Sequence, residues 1–225
     1  MKTISIALLG LCVSVAVLGA QADEKKRVAE ATTVMQEIMG AGDNSIPRSI
    51  LEKAEGIAVF PSLLKGGLVV GGQHGRGVLS VRDAASGTWS APAFLTINGG
   101  SIGAQIGAQA IDLILVINNR RGLEQLVGNQ FKLGADASVA AGPVGRDASA
   151  ATDLQMRAQI LSYSRTRGLF AGVTLNGSTI RQDRDANERF YGTAYRTGQI
   201  VFDRLGGAPE PVTAWRDALT KYATK

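Results

Sequence analysis

One histidine, His74, and one cysteine, Cys12, are the chain's whole stock of imidazole and thiol ligands. Zinc sites draw on several such groups, so the usual sets cannot be assembled. A Ca²⁺ or Mg²⁺ site would have to come from carboxylates, and no EF-hand spacing is present. The run Gly71-Gly72-Gln73-His74-Gly75-Arg76-Gly77 invites a different chemistry. Its glycines would let backbone N–H groups turn toward an anion, with Arg76 adding charged contacts. Equally, a glycine line permits a sharp bend in a strand or the close approach of another element. Nucleotide cradles of the standard kinds do not fit: no Gly-Lys dipeptide exists, and the glycines do not match the dinucleotide fingerprint. Asp112 interrupts an apolar run, Ala108 to Ile117. A carboxylate there must be paired or hydrogen-bonded. It is either structural or a ligand contact in a pocket. No catalytic constellation emerges, and the chain is not expected to be an enzyme.

The remaining candidates are cations: Lys25, Lys26 and Arg27 in one cluster, Lys65 and Arg76 around the glycine run, and Arg165 and Arg167 farther on. Near an anionic surface each Lys or Arg is worth about 1 kcal/mol, so several together hold a domain weakly. Alternatively, Arg165 and Arg167 pair with acids such as Asp183, Asp185 or Glu188 and stabilise the fold.

The elements that carry these residues can be read from periodicity. Val28, Ala31, Met35 and Ile38 form an apolar stripe in a helix from Asp23 to Met39. That stripe suits either a membrane surface or the protein's own core. A short helix follows to Ala54, with Ser45 as its cap and Pro47 in its first turn. Gly56 to Ala141 reads as β-structure: strands at Ile57–Phe60, Leu68–Gly72, Gly77–Arg82, Thr88–Leu95, Ser101–Gln109, Ile111–Ile117 and Lys132–Ala141. Asp83 to Gly87 is a hairpin connection and Asn98-Gly99-Gly100 a turn. A helix is expected over Asn119–Gly128 and a strand over Asp153–Ser164. Leu169–Leu175 and Ser178–Arg181 flank Asn176-Gly177, a strong hairpin signal. From Asp185 the tail is helical, and its last helix carries the stripe Val212, Trp215, Leu219, Tyr222. The fold expected is α+β, one domain over 23–225: a strongly curved antiparallel sheet or barrel-like core with flanking helices.

Lys2, the apolar run Ile4–Leu18 and Ala20-Gln21-Ala22 form the pattern of a signal peptide, residues 1–22. Leu11, rather than a small residue, precedes Cys12, which argues against a lipoprotein. Removing residues 1–22 of 225 leaves 203, without a thiol, and takes the formal charge from +5 to +4 with the loss of Lys2. An exported basic protein meets anionic lipid or envelope polyanions rather than nucleic acid. Localisation in the periplasm, or peripheral attachment to the envelope membrane, is expected.

Five spaced motifs carry a resemblance. They are A-x-G-I-A-V-F-P (Ala54 to Pro61), V-G-G-x-x-G-x-G-V (Val70 to Val78), W-S-A-P-A-F (Trp89 to Phe94), G-P-V-G-R (Gly142 to Arg146) and Y-S-R-x-x-G-L-F-A-G-V (Tyr163 to Val173). With N-x-x-F-Y-G (Asn187 to Gly192) they make the chain, from about Ile46 to Gly192, resemble the SYLF domain. That family comprises lipid-binding modules of bacteria and of eukaryotic membrane-trafficking and actin-regulating proteins. The resemblance implies recognition of membrane phospholipid, phosphoinositides for eukaryotic members, with no cofactor. An exported chain without an SH3 or FYVE domain would meet phosphatidylglycerol, cardiolipin or lipopolysaccharide instead, and actin is not an expected partner. The alternative is a structural or protein-interaction domain of the envelope, with another envelope protein as partner.

Overall fold

In a computed structural model the described residues are all but 1–2, 43–44, 68–69, 103–106, 129, 146–156, 167–168, 171–174, 176, 208 and 224–225. For 3–20, 67, 70, 101–102, 107–108 and 169–170 the backbone alone is described. The described strands are β1 (Gly56–Gly67), β2 (Val70–Val81), β3 (Ala93–Ile102), β4 (Gly107–Ile117), β5 (Gln130–Lys132), β6 (Val139–Ala141), β7 (Ile160–Thr166), β8 (Leu169–Phe170) and β9 (Thr179–Gln182). The described helices are α1 (Thr3–Met39), α2 (Arg48–Leu51), α3 (Arg120–Leu126), α4 (Arg184–Tyr191), α5 (Thr197–Val201) and α6 (Val212–Tyr222).

All nine strands join one curled sheet, in the order β5-β9-β3-β2-β1-β4-β7-β6, with β8 paired to β7. The α+β architecture agrees with the sequence expectation. The sheet is mixed rather than purely antiparallel, because β6 runs parallel to β7. Strand β1 lies at the centre, and Ile57, Ala58, Val59 and Phe60 are all fully buried, so both faces of the sheet are covered there. Proline in a central strand removes a ladder donor. Here Pro61 and Ser62 sit in a bulge, between Phe60↔Leu113 and Leu63↔Ile111 in the register with β4. Ser62 takes φ 51°, and its N–H donates to Asp112 Oδ1 at 3.1 Å. The bulge and its aspartate therefore belong together.

Register separates the two faces of the sheet. Phe94, Val78, Ser80, Arg76, Thr96, Asp112 and Arg165 lie on one of them, here called the outer face. Helices α1 and α6 cover part of it: Arg27 of α1 stacks over Phe94, and Trp215 of α6 donates Nε1–H to Ser80 Oγ at 2.8 Å. The expected stripe Val28, Ala31, Met35, Ile38 is fully buried, so this part of α1 packs into the core. Each of its large apolar side chains contributes about 1.5–3 kcal/mol by transfer from water. The expected stripe of α6 is buried as well at Val212, Trp215 and Leu219, with Tyr222 packed at its edge.

Several local expectations give way to longer-range pairing. Val70–Gly72 and Gly77–Val81 are parts of one strand, β2, since Gly71 to Gly77 continues the ladder with β3, and with β1 as far as His74; residues 68–69 lie outside the described residues. Asn98-Gly99-Gly100 is not a turn but the middle of β3, opposite His74, Gln73 and Gly72. The reason lies in packing: a Cβ on Gly99 would stand 2.7 Å from Ser178 Oγ and 2.8 Å from Gln73 Nε2. Gly99-Gly100-Ser101-Ile102-Gly103 has the spacing of a nucleophile elbow, yet Ser101 lies within β3 opposite Gly71. Of the segments flanking Asn176-Gly177, the described strand β9 pairs with β3 and β5, and β8 with β7. Residues 171–174 and Asn176 lie outside the described residues. Lys132–Ala141 divides into β5 and β6 around a turn. Helix α2 begins after Pro47, with no side-chain cap from Ser45. The helix expected over Asn119–Gly128 is present as α3, and the Asn119 side chain caps it by accepting from the Gly122 N–H.

Candidate anion-binding surface

A strand ladder uses the N–H groups that an anion cradle would need. Gly71 to Gly77 is strand, paired with β3 throughout and with β1 from Gly71 to His74, which overturns the reading of that run as a cradle loop. What the glycines provide is room. A Cβ on Gly75 would stand 2.6 Å from Leu63 Cδ1, and one on Gly77 would stand 2.4 Å from the Val59 carbonyl oxygen. The glycines of β2 thus let β1 side chains cross over it. His74 is exposed, and its Nδ1 is 2.7 Å from Asn98 Oδ1.

The seven candidate cations fall into distinct settings. Lys25 and Lys26 are exposed on α1, Lys26 standing 3.7 Å from Glu30. Arg76 is exposed on the outer face of the sheet, the face that carries α1. Lys65 points to the opposite face, in register with the buried Gln73, and is half-buried. Arg167 lies outside the described residues.

Arg27 and Arg165 are inside ion-pair networks. The Arg27 side chain, 6% exposed, donates to Asp183 Oδ2 at 2.8 Å and stands 3.7 Å from Glu24. Arg189 reaches the same Glu24 at 2.8 Å. Aromatic rings complete this corner, Arg27 over Phe94 and Phe94 edge-on to Phe190 at 5.0 Å. Asn187 Oδ1 accepts the Phe94 N–H, and Tyr191 donates its hydroxyl to the Pro92 carbonyl at 2.6 Å. The N-x-x-F-Y-G motif therefore ties α4 to β3. Arg165 bonds Glu37 of α1 and lies 3.4 Å from Asp112. Burial, the largest single influence, lowers its pKa, but these two acids together hold it above the usual arginine value. Asp112 is the structural aspartate of the two alternatives, accepting from the Ser62 N–H and paired with an arginine.

A further basic site was not legible in the sequence. Beyond the end of β2, a cleft of about 250 Å³ is lined by Arg82, Asp83, Arg120, Phe202 and Arg204 among others. Arg82 is buried; it donates to the Leu51 and Glu52 carbonyls at 2.7 and 2.8 Å and stacks on Trp89. Burial lowers its pKa, against the field of Glu52. Arg120 stacks on Phe202 at 4.1 Å while its Nε bonds Glu124 at 2.8 Å. Arg204 donates to the Thr88 carbonyl and stands 3.8 Å from Asp83. The Ser86 N–H, above all, with its hydroxyl and Arg204, holds the Asp83 carboxyl below its usual pKa. These arginines come from three separate stretches of sequence, and no motif links them.

The described residues thus form a curled sheet with a helix docked across its outer face, exposed lysines on that helix and an arginine-lined cleft. The sequence model described as Ysc84, Las17-binding protein actin regulator, matches residues 98–222. The chain belongs to this family, the SYLF domain family. The match takes in the Tyr163 motif and the C-terminal helices. Over 194 residues the chain is 34% identical to human SH3 domain-containing YSC84-like protein 1, covering 85% of this chain and 55% of that protein. It is 35% identical over 176 residues to LAS seventeen-binding protein 3 of Saccharomyces cerevisiae, covering 77% of this chain and 38% of that one. The chain thus spans about half the length, or less, of these relatives.

Proposed function

We propose that the chain is a binding module of the cell envelope that engages anionic phospholipid head groups through exposed cations on the outer face of its sheet. The observation that supports this most directly is the placement of Lys25, Lys26 and Arg76. All three are exposed, and all belong to the side of the sheet that carries α1. Arg181, also exposed, lies opposite Thr96 on that same face. Additive attraction to a negative surface, screened over about 8 Å at physiological ionic strength, makes such binding weak and salt-sensitive. Export to the periplasm, directed by residues 1–22, would bring the domain to such a surface.

The test is co-sedimentation with phosphatidylglycerol vesicles, using the triple charge reversal Lys25→Glu, Lys26→Glu, Arg76→Glu. Binding should fall several-fold with the melting temperature unchanged, and phosphatidylcholine vesicles should bind little. Equal binding of wild type and variant, or insensitivity to salt, would sink the electrostatic model. A second reading, a protein-interaction domain, is favoured by the relative named as a LAS seventeen-binding protein. It would gain if the folded wild type ignored anionic vesicles altogether.

A further inference from the structure

We propose that the cleft between the end of β2, the start of α3 and the end of α5 binds a phosphoryl group. Three guanidinium groups line it and Asp83 is its one carboxylate, so the lining carries an excess of positive charge that a phosphate monoester would match. The side chains are fixed before any ligand arrives. Arg82 is anchored on two backbone carbonyls and on Trp89, and Arg120 lies flat on Phe202. Arg204 is held by the Thr88 carbonyl and by its own backbone at φ 56°, a conformation few non-glycine residues adopt. Strain of that kind persists where the surroundings hold a side chain in one place.

Donors remain to be used. Glu124 occupies only Nε of Arg120, and Thr88 only one Nη of Arg204. Among the described residues, nothing accepts from the Nη groups of Arg120 or from Nη1 of Arg204. Arg82, with both Nη groups committed, supplies a buried positive charge rather than a contact. Planar guanidinium forks match phosphate oxygens in geometry as well as charge. The cleft volume of about 250 Å³ leaves space for the group that carries the phosphate.

Calorimetric titration with inorganic phosphate and with glycerol 3-phosphate reads the site without any membrane, so its outcome is separate from that of the lipid-surface reading. Arg120→Gln and Arg204→Gln should each weaken phosphate binding roughly ten-fold, the loss of one charge-assisted contact. Arg120 is half-exposed, so its variant keeps the fold. Asp83→Asn retains the oxygen that accepts from Ser86 but removes the opposing charge, and should tighten binding. Vesicles of phosphatidic acid, whose head group is a phosphate monoester, distinguish the source. Binding lost in the Arg120→Gln, Arg204→Gln double variant marks a lipid head group; binding kept there, with phosphate binding lost, marks a small soluble phosphate. No phosphate binding by the wild type, equal binding by the double variant, or weaker binding by Asp83→Asn would each overturn the proposal.

Discussion

Arg27 and Asp183 meet at 2.8 Å across 156 residues of sequence, and the contact joins α1 to the start of α4. Asp183 does two jobs, because its other oxygen caps α4 by accepting the Ala186 N–H at 3.2 Å. Removing one partner of a buried pair leaves an uncompensated charge, at a cost of about 3–5 kcal/mol. Arg27→Ala should therefore destabilise the domain by about 3 kcal/mol in urea unfolding. Lys25→Ala, two residues away on the exposed side, should leave the midpoint where it is.

Arg165 is held by two acids, so charge reversal there acts on the fold. Arg165→Glu sets a third carboxylate against Glu37 and Asp112. The expected loss is about 3 kcal/mol or more. Any fall in vesicle binding should track the loss of folded protein by circular dichroism. A folded variant with weakened binding would instead return Arg165 to the lipid-contacting set.

Gly77 is a position where substitution has nowhere to go. Its added Cβ would meet the Val59 carbonyl at 2.4 Å and the Phe60 ring at 2.5 Å. A carbonyl in a central ladder cannot swing aside as a flexible side chain can. Gly77→Val should cost more than about 2 kcal/mol through overpacking and backbone strain. Gly100→Val, where nothing lies within 4 Å, is the matched control and should cost far less.

Alkaline stability should report on Tyr191. Burial, with Arg216 opposing, raises its pKa above the usual tyrosine value of about 10. A folded-state pKa above the unfolded one means stability that is complete below about pH 10 and is lost as pH rises toward the folded pKa. The melting temperature should fall over that window. Tyr191→Phe, which also gives up the hydrogen bond to Pro92, should start lower and fall less steeply.

The helices were legible because their signals are local. Val28, Ala31, Met35 and Ile38 declare a buried face by spacing alone, and Asn119 marks a helix start. The sheet was legible only in kind. Asn98-Gly99-Gly100 has the composition of a turn, but its glycine is there to make space for Gln73 and Ser178. The described partners of β9 are β3 and β5, far from it in sequence, and no local signal names them. For the cations the limitation was sharper. Whether an arginine faces water or an acid depends on partners 128 to 156 residues away, as for Arg165 with Glu37 and Arg27 with Asp183. Periodicity carries no trace of such partners. The same holds for Arg82, Arg120 and Arg204, which only the folded chain brings to one cleft.

The docking of α1 against α4 and α6 has a temporal side. Helix α1 finds its Asp183, its Arg189 and the Trp215 helix only after the 156 residues that separate Arg27 from Asp183 have been made. Contacts closing so large a loop form late, since the chain must first surrender the entropy of bringing its ends together. A nascent chain halted before Asp183 would display Val28, Met35 and Ile38 with part of their cover missing. The domain therefore stays unfinished, and open to whatever handles unfolded chains, until its α4 and α6 segments have been made.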